Sequence, residues 1–534
     1  MRVRFEPALV ILIVSFKEET NKLISVVRGK LALAAKVILV ALISALVLML
    51  AQSAFAQKEY AIGIFLFAAI LLVLFTYLTK KSIPLKFFLP GILLLVAFVV
   101  SPILYTVTMS GFNYKTGNIV SKEEAILQIK NRAFEPDSAG TSFDIKIGTH
   151  FNSPAILVSD IENKIYFVST DKEQIPVPTS QVTLNEYQVA QSAPGFTPLA
   201  VDQLSSADSK YSGKRFIYKD EYFLALEGLD VAIVARQTLQ YLDNEDVFKN
   251  IINGEIYKDN GRGNYQTGSD PEAILEPGWR APIWFENYTK LFTDSRFRDP
   301  LIRVFIWTVV FASATVATTF ALGLLLALAL NKPLFGRRFY RSILVLPYAM
   351  PSVMSILIWG GMFNTEFGAI NTLLGTDIAW FQNPNFSRIA VILVNLWLGF
   401  PYFYLVASGA LQAIPTELQE AAAIDGANPR QIFRKITLPL LLQILSLLLI
   451  ASFAFNFNNF NLIYLLTGGG PRDTLDGEIA GATDILISYT YQIAFGSSKQ
   501  DLGLASAISL IIFILVASIS LYGIRKSKVL ESFS

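Results

Sequence analysis

Glu420-Ala421-Ala422-Ala423-Ile424-Asp425-Gly426-Ala427-Asn428-Pro429-Arg430-Gln431-Ile432-Phe433-Arg434-Lys435-Ile436-Thr437-Leu438-Pro439 is a polar stretch between two long apolar segments. Its grammar is that of two short helices joined by a bend. Thr416 follows Pro415, and the acid-rich turn Glu417–Glu420 suits a helix start, where carboxylates meet unpaired backbone N–H groups. Gly426 can take the left-handed conformation that ends such a helix. Asn428-Pro429 then reads as the cap and first position of a second helix, and Pro439 as the restart of the chain into the next apolar segment. The small side chains of Ala421–Ala423 leave a face open to close packing, and Glu420 is placed to meet a basic partner.

Working outward, the chain is lipid-like in composition. Of 534 residues, 53% are hydrophobic and 16% charged, against about 25% charged in a soluble domain. Eight stretches approach the roughly 20 apolar residues a membrane span needs: 31–51, 61–78, 88–108, 304–330, 342–363, 389–410, 440–466 and 502–523. The run Ala8–Phe16 is too short to cross. Basic residues fix the orientation, because cytoplasmic loops hold the excess of Lys and Arg. Lys17, Lys22, Arg28 and Lys30 precede the first span, and Lys80, Lys81 and Lys86 follow the second. Lys332, Arg337, Arg338 and Arg341 follow the fourth, Arg430, Arg434 and Lys435 the sixth, and Arg525, Lys526 and Lys528 the eighth. Eight spans put all of them on one side, so the expectation is a multi-pass protein of the plasma (inner) membrane with both termini cytoplasmic. Ala54-Phe55-Ala56 has the form of a signal-peptidase site, but its long basic leader and long apolar run fit an uncleaved span better.

The resulting fold class is an all-α polytopic membrane protein, about eight transmembrane helices, with an inserted β-rich extracytoplasmic domain. The segments are a cytoplasmic stretch 1–30, three spans in 31–108, the extracytoplasmic domain 109–300, a five-span core 301–524 with the polar loop at 415–439, and a cytoplasmic tail 525–534. Within the domain, 143–147, 155–158 and 165–168 alternate as strands do, and 215–218 with 222–226 reads as a hairpin. Leu226–Leu242 is compatible with a helix, and 260–264 with 267–270 reads as a flexible return to the membrane. A solvated spacer and a cradle for an extracytoplasmic partner are the two readings of this domain; its size favours the cradle.

Composition excludes several chemistries. There is no cysteine and one histidine, His150, so thiol catalysis, disulfides and a metal site are not expected, and His150 is read as structural. The net charge of +2 and the lack of a dense basic cluster argue for no nucleic-acid partner. No Gly-x-x-x-x-Gly-Lys-Ser/Thr occurs, so the chain is not expected to bind ATP. The apolar cores of spans four to eight contain no Asp, Glu, Lys, Arg or His. Intramembrane ionisable groups mark proton and ion relays, so a pathway here suits a neutral solute with energy supplied elsewhere.

Polar, uncharged residues cluster in three neighbouring spans. Span seven carries Ser452-Phe453-Ala454-Phe455-Asn456-Phe457-Asn458-Asn459-Phe460-Asn461, span six Asn395-Leu396-Trp397-Leu398-Gly399-Phe400-Pro401-Tyr402, and span five Pro347-Tyr348-Ala349-Met350-Pro351-Ser352. Amides offer donors and acceptors to hydroxyls, and aromatic faces cover the apolar side of a pyranose ring. Asn456 and Asn459, three apart on a helix, would share neighbouring faces with Phe455. The competing reading is that these amides hydrogen-bond across helices as polar glue.

Glu420, Ala421, Ala422, Gly426, Ile436, Leu438 and Pro439 fall on the pattern EAA, three residues, Gly, nine residues, Ile-x-Leu-Pro. That pattern resembles the loop by which membrane subunits of binding-protein-dependent ABC importers dock their ATPase. With Ala451–Phe460, Leu465–Pro471 and Ile487–Phe495, residues 300–525 resemble that permease family, and within it the larger membrane subunits of maltose/maltodextrin importers. The resemblance implies a non-catalytic subunit working with a second, homologous permease, two ATP-binding subunits that carry ATP and Mg, and an extracytoplasmic solute-binding protein. It implies sugar contacts at Tyr348, Ser352, Asn395, Leu398, Gly399, Tyr402, Phe455, Asn456 and Asn459, with maltose or maltodextrin as the leading substrate. A docking loop joined rigidly to span seven would pass ATPase closure to the asparagine-bearing segment. The competing classes are a permease for another neutral oligosaccharide, a stand-alone or ion-coupled sugar carrier, and a membrane-anchored sensor. The charge-free spans and the loop weigh against the carrier, and no cytoplasmic segment is long enough for a signalling module.

Overall fold

The computed structural model describes residues 30–56, 60–78, 83–200, 211, 213–219, 221–270, 272–331, 334–472, 479–496 and 500–526. The run Ala8–Phe16, most of the N-terminal segment, Lys80, Lys81, Lys332 and the end of the tail lie outside these residues. The chain divides into two units, one ending at Tyr105 and the other beginning at Thr106.

The first unit contains α1 (Lys30–Ala56), α2 (Tyr60–Leu78) and most of α3 (Ile83–Met109); α1 packs along α2. These helices are apolar all round, with Leu42, Leu46, Met49, Phe75 and Phe98 exposed, as lipid contact requires.

The second unit opens with a β-rich region. After α4 (Lys122–Arg132), capped by Ser121, an antiparallel sheet runs in the order Gln174–Val177, Ile165–Thr170, Ser153–Asp160, Ser142–His150, Val231–Gln237, Tyr222–Leu226, Arg215–Lys219. Its buried face collects Phe143, Ile145, Ile156, Val158, Phe216 and Leu224. All five expected strands are present. The stretch 226–242, read as helical, is instead two strands, Val231–Gln237 and Leu239–Leu242. Ala232 and Val234 alternate into the core with period two, and Gly228 turns at φ 89° before them. The expected flexible return is likewise ordered. Tyr265–Thr267 is a strand of a second sheet, and Tyr265 is fully buried against Phe248 and Trp279. His150 is buried beside the Phe151 ring.

The helical core follows: α5 (Glu286–Thr293), α6 (Ser295–Ala329), α7 (Arg337–Ala349), α8 (Ser352–Met362), α9 (Ala369–Leu374), α10 (Pro384–Ala413), α11 (Thr416–Ile424), α12 (Pro429–Phe457), α13 (Phe460–Leu466), α14 (Leu486–Tyr491) and α15 (Leu502–Lys526). Six described helices are long and apolar enough to cross a membrane, seven if α7 and α8 form one broken span. Of the eight expected segments, six correspond to these helices, α2 is a 19-residue apolar helix, and the fifth reaches spanning length only if α7 and α8 are taken together. The fifth segment is not merely kinked: α7 and α8 meet at 93°. Pro351 has no N–H to continue the helix and pushes Met350 to an extended conformation at ψ 141°.

At the centre, α6 and α10 approach closely. A Cβ at Gly323 of α6 would lie 2.7 Å from Phe403 Cβ and from the Tyr404 nitrogen of α10. At Gly399 of α10, too, the space is taken up, since a Cβ there would lie 2.9 Å from Thr319 Cγ2 of α6. Beyond α13, the loop to α14 clasps the helix ends. Thr467 and Thr483 share a hydroxyl hydrogen bond of 2.7 Å, Trp307 Nε1 donates to the Thr483 carbonyl, and Arg388 Nε donates to the Ala482 carbonyl. Asp484, fully buried, accepts from Gly481 N and Ser488 Oγ, and burial raises its carboxyl above the ordinary range.

Candidate functional site

Helix ends and breaks build the site. At the 420–439 stretch, α11 closes with a Schellman turn: Gly426 N donates to Ala423 O and Ala427 N to Ala422 O, with Gly426 at φ 82°. Asn428 caps α12 reciprocally, accepting from Gln431 N at 2.9 Å while Gln431 Oε1 accepts from Asn428 N at 2.8 Å. Pro429 takes the first helical position. The α-helical ladder restarts at Leu438 with Pro439 in its first turn, as expected, but without a break from the helix before it. The second helix runs on through a wide turn at Phe433–Thr437, in which Leu438 N reaches the Phe433 carbonyl, five residues back. Such a turn loosens the i to i−4 ladder just where Pro439 has no N–H to offer. Glu420, Ala421, Gly426 and Pro439 are exposed, while Ala422, Ile436 and Leu438 are half-buried. Ile424, absent from the spacing pattern, is 87% exposed on the same face-bearing turn of α11.

The second locus is a cavity of about 580 Å³ among α6, α7, α8, α10, α12 and α13. Tyr348, Ser352, Asn395, Leu398, Gly399, Tyr402, Phe455, Asn456 and Asn459 all line it, so the structure brings the nine expected residues together. No charged side chain lines it among the described residues. Tyr348 and Phe455 are well exposed, and Tyr402 is half-buried. Burial pins two of the others: Asn395 Nδ2 donates to Asn456 Oδ1 at 2.7 Å, and Asn456 Nδ2 donates to the Ser452 carbonyl at 2.8 Å. Both amides are 5% exposed. The cross-helix reading of these asparagines therefore has a direct geometric basis, and Asn395 Oδ1 is the oxygen this pair leaves uncommitted.

Asn456 and Asn459 do not share one helix. The chain breaks after Phe457, and Asn459 becomes the cap of α13, its Oδ1 accepting from Leu462 N. A run of short amides competes with the backbone for hydrogen bonds and so ends a helix. The sequence reading missed Thr315 and Thr319, which also line the cavity, as do Ser452 and Asn461 of the polar run in span seven. Thr315 and Thr319 are four apart in this span and so share one helical face. Thr319 Oγ1 donates back to the Thr315 carbonyl at 2.6 Å, whereas Thr315 Oγ1 is buried with no partner among the described residues.

Apolar walls with scattered amides and hydroxyls, and no ionised group, suit an uncharged, hydroxyl-rich solute. A family model described as the inner membrane component of binding-protein-dependent transport systems matches residues 319–527. Over most of its length the chain is similar to the maltose/maltodextrin transport system permease protein MalF of Vibrio parahaemolyticus, 36% identical over 500 residues that cover 89% of this chain and 91% of that one. The protein of the same name from Salmonella typhi is 36% identical over 498 residues, covering 88% and 93%. That of Escherichia coli K12 is 34% identical over 501 residues, again covering 88% and 93%.

Proposed function

The chain belongs to the binding-protein-dependent ABC permease family, and on that premise we propose that it forms half of the translocation pathway of an ATP-driven maltose/maltodextrin importer. The observation that carries the substrate side is the convergence of nine separated residues on one charge-free cavity. Tyr348, Tyr402 and Phe455 offer ring faces, while Ser352, Asn395, Asn456 and Asn459 offer hydroxyl and amide groups to sugar hydroxyls. Leu398 and Gly399 complete the wall of α10. Another neutral oligosaccharide would satisfy the same chemistry.

Energy enters at the 416–439 loop. In this reading Glu420, Ala421, Ala422 and Gly426 form the surface that an ATPase subunit grips on the cytoplasmic side, and Ile436, Leu438 and Pro439 tie it to α12. The helical run from Pro429 to Phe457 supports the coupling, because it joins the loop to Asn456 through the wide turn at Phe433–Thr437 with no break in the helix. Displacement of the loop then reaches the cavity wall directly. The chain itself performs no catalysis and binds no cofactor; ATP and Mg sit on two partner ATPases. A second permease completes the pathway, and an extracytoplasmic binding protein delivers sugar to the β-rich domain. Both termini are cytoplasmic.

The test is ATPase activity of the reconstituted complex with its binding protein, with and without maltotriose. Strong stimulation is expected. Stimulation by a different sugar alone would keep the permease and move the substrate, whereas no response to any solute would overturn the coupling role.

A further inference from the structure

Helix α6 carries four threonines, and three of them behave alike. Thr308, Thr318 and Thr319 turn their hydroxyls back along the helix, donating to the Val304, Ala314 and Thr315 carbonyls at 2.7, 2.8 and 2.6 Å. Thr315 is the exception. The residue is 1% exposed, yet its Oγ1 has no partner among the described residues. A buried hydroxyl left unpaired is destabilising, and the Phe311 carbonyl one turn back would be the usual remedy. The bond is not made, although Thr315 lines the cavity that the proposed pathway uses.

The level of Thr315 in the cavity follows from the register of α6 on α10. The Arg388 guanidinium lies over the Trp307 ring at 4.8 Å, Gly399 abuts Thr319, and Phe403 abuts Gly323. Both helices advance together through these contacts, so they run side by side in the same direction. Thr315, one turn before Thr319, therefore comes level with Asn395, one turn before Gly399. Asn395 is the residue that donates to Asn456 Oδ1, and all three line the same cavity. Thr315 bonds to neither amide, so its hydroxyl is surplus to the cross-helix pair. A threonine in a helix divides between two χ1 settings, which lets this hydroxyl meet a polar atom that enters beside it.

We propose that Thr315 is a specificity-determining residue of the pathway, pairing its hydroxyl with a hydroxyl of the neutral solute at the level of Asn395 and Asn456. The inference rests on the sugar reading of the cavity and adds to it a source of selectivity. A solute lacking a hydroxyl at that point leaves the buried group unpaired and is rejected for that reason.

Thr315→Val keeps the shape and removes the hydroxyl, whereas Thr315→Ser keeps the hydroxyl and removes the methyl group. Sugar-stimulated ATPase of the reconstituted complex is measured for both variants and for the unaltered chain, with maltotriose and its monodeoxy analogues. The binding protein's own preference is common to all the complexes and cancels in the comparison. Thr315→Val should raise the maltotriose concentration for half-maximal stimulation several-fold. Its sugar-free unfolding midpoint should be unchanged or higher, because no hydrogen bond seen in the structure is lost. Thr315→Ser should stay close to the unaltered chain. One monodeoxy analogue that is weak on the unaltered complex should be no weaker than maltotriose on Thr315→Val. A normal maltotriose response in Thr315→Val, or the same analogue penalties in both, would overturn the inference and leave the sugar reading in place. A lowered sugar-free midpoint in Thr315→Val would give the hydroxyl a structural partner and also overturn it. An unaltered complex that no sugar stimulates would remove the sugar reading and the inference with it.

Discussion

Of the places that interrupt the helices of this permease, the bend at Gly426 and the break at Asn458–Asn459 are built in opposite ways. At Gly426 the backbone is fully determined: a Schellman turn ends one helix and a reciprocal cap starts the next, while Glu420, Ala421 and Ile424 face outward. At Asn458–Asn459 the side chains are determined, with Asn395, Asn456 and Ser452 bonded across two helices around a cavity. The first arrangement keeps a rigid surface for another protein to hold. The second keeps a rigid wall while leaving rings and a few polar atoms for a solute. A rigid surface tolerates side-chain change but not backbone change, and a rigid wall the reverse. Substitutions that separate backbone from side chain therefore test the contrast.

The largest effect is expected at the close approach behind the cavity. Gly323→Val places a branched side chain where even a Cβ would meet the Phe403 and Tyr404 backbone at 2.7–2.8 Å. Overpacking of this kind costs about 3 kcal/mol or more. The expected outcome is loss of monodisperse complex, or a clearly lowered unfolding midpoint. An unchanged midpoint would mean that α6 and α10 can separate and that the cavity wall is not rigid.

Next comes the bend. Nothing lies within 4 Å of a Cβ at Gly426, so any cost there is conformational and not steric crowding. A left-handed residue other than glycine costs about 1–2 kcal/mol, and a β-branched one more. Gly426→Val should therefore reduce sugar-stimulated ATPase by about tenfold while sugar binding persists. Gly426→Asn should remain close to normal, because asparagine visits this conformation. If Asn fails as badly as Val, the exposed glycine surface matters and not the bend.

How much of this was legible in the sequence divides along the same line. The bend at Gly426 and the cap at Asn428 rest on signals within five residues of each other, and they were readable. The nine cavity residues were implied by the family resemblance, and they do converge on one cavity. The bond between Asn395 and Asn456 was not readable, since its partners are 61 residues apart and no local rule pairs them. Pro439 was readable as the opening of Leu438–Phe457, whereas the wide turn at Phe433–Thr437 that joins it to the preceding helix was not, since no local signal marks such a turn. Leu226–Leu242 misled because its apolar residues fit two periods, and only pairing with Ser142–His150 and Tyr222–Leu226 selected the strand.

A smaller effect is expected at Phe455, which lines the cavity yet is 70% exposed. Phe455→Ala removes a ring that supports little of the core. The unfolding midpoint should stay within a degree or two, while the sugar concentration giving half-maximal stimulation rises several-fold. An unaltered sugar response would remove Phe455 from the sugar path.

The smallest effect, and the most discriminating, lies in the asparagine pair. Interhelical amide bonds in membranes are worth about 0.6 kcal/mol on average and about 1.7 at most. Asn395→Ala, Asn456→Ala and the double variant form a cycle that isolates this bond. A pure brace predicts coupling of about 0.6 kcal/mol in stability and an unchanged sugar response in every variant. A sugar contact predicts that Asn395→Ala weakens the sugar response more than Asn456→Ala. The asymmetry follows from the geometry: Asn456 already commits its oxygen to Asn395 and its amide protons to Ser452, whereas Asn395 lines the cavity and commits only its Nδ2 to this pair. Equal losses would contradict that division of labour, and no loss in either would leave both residues as glue.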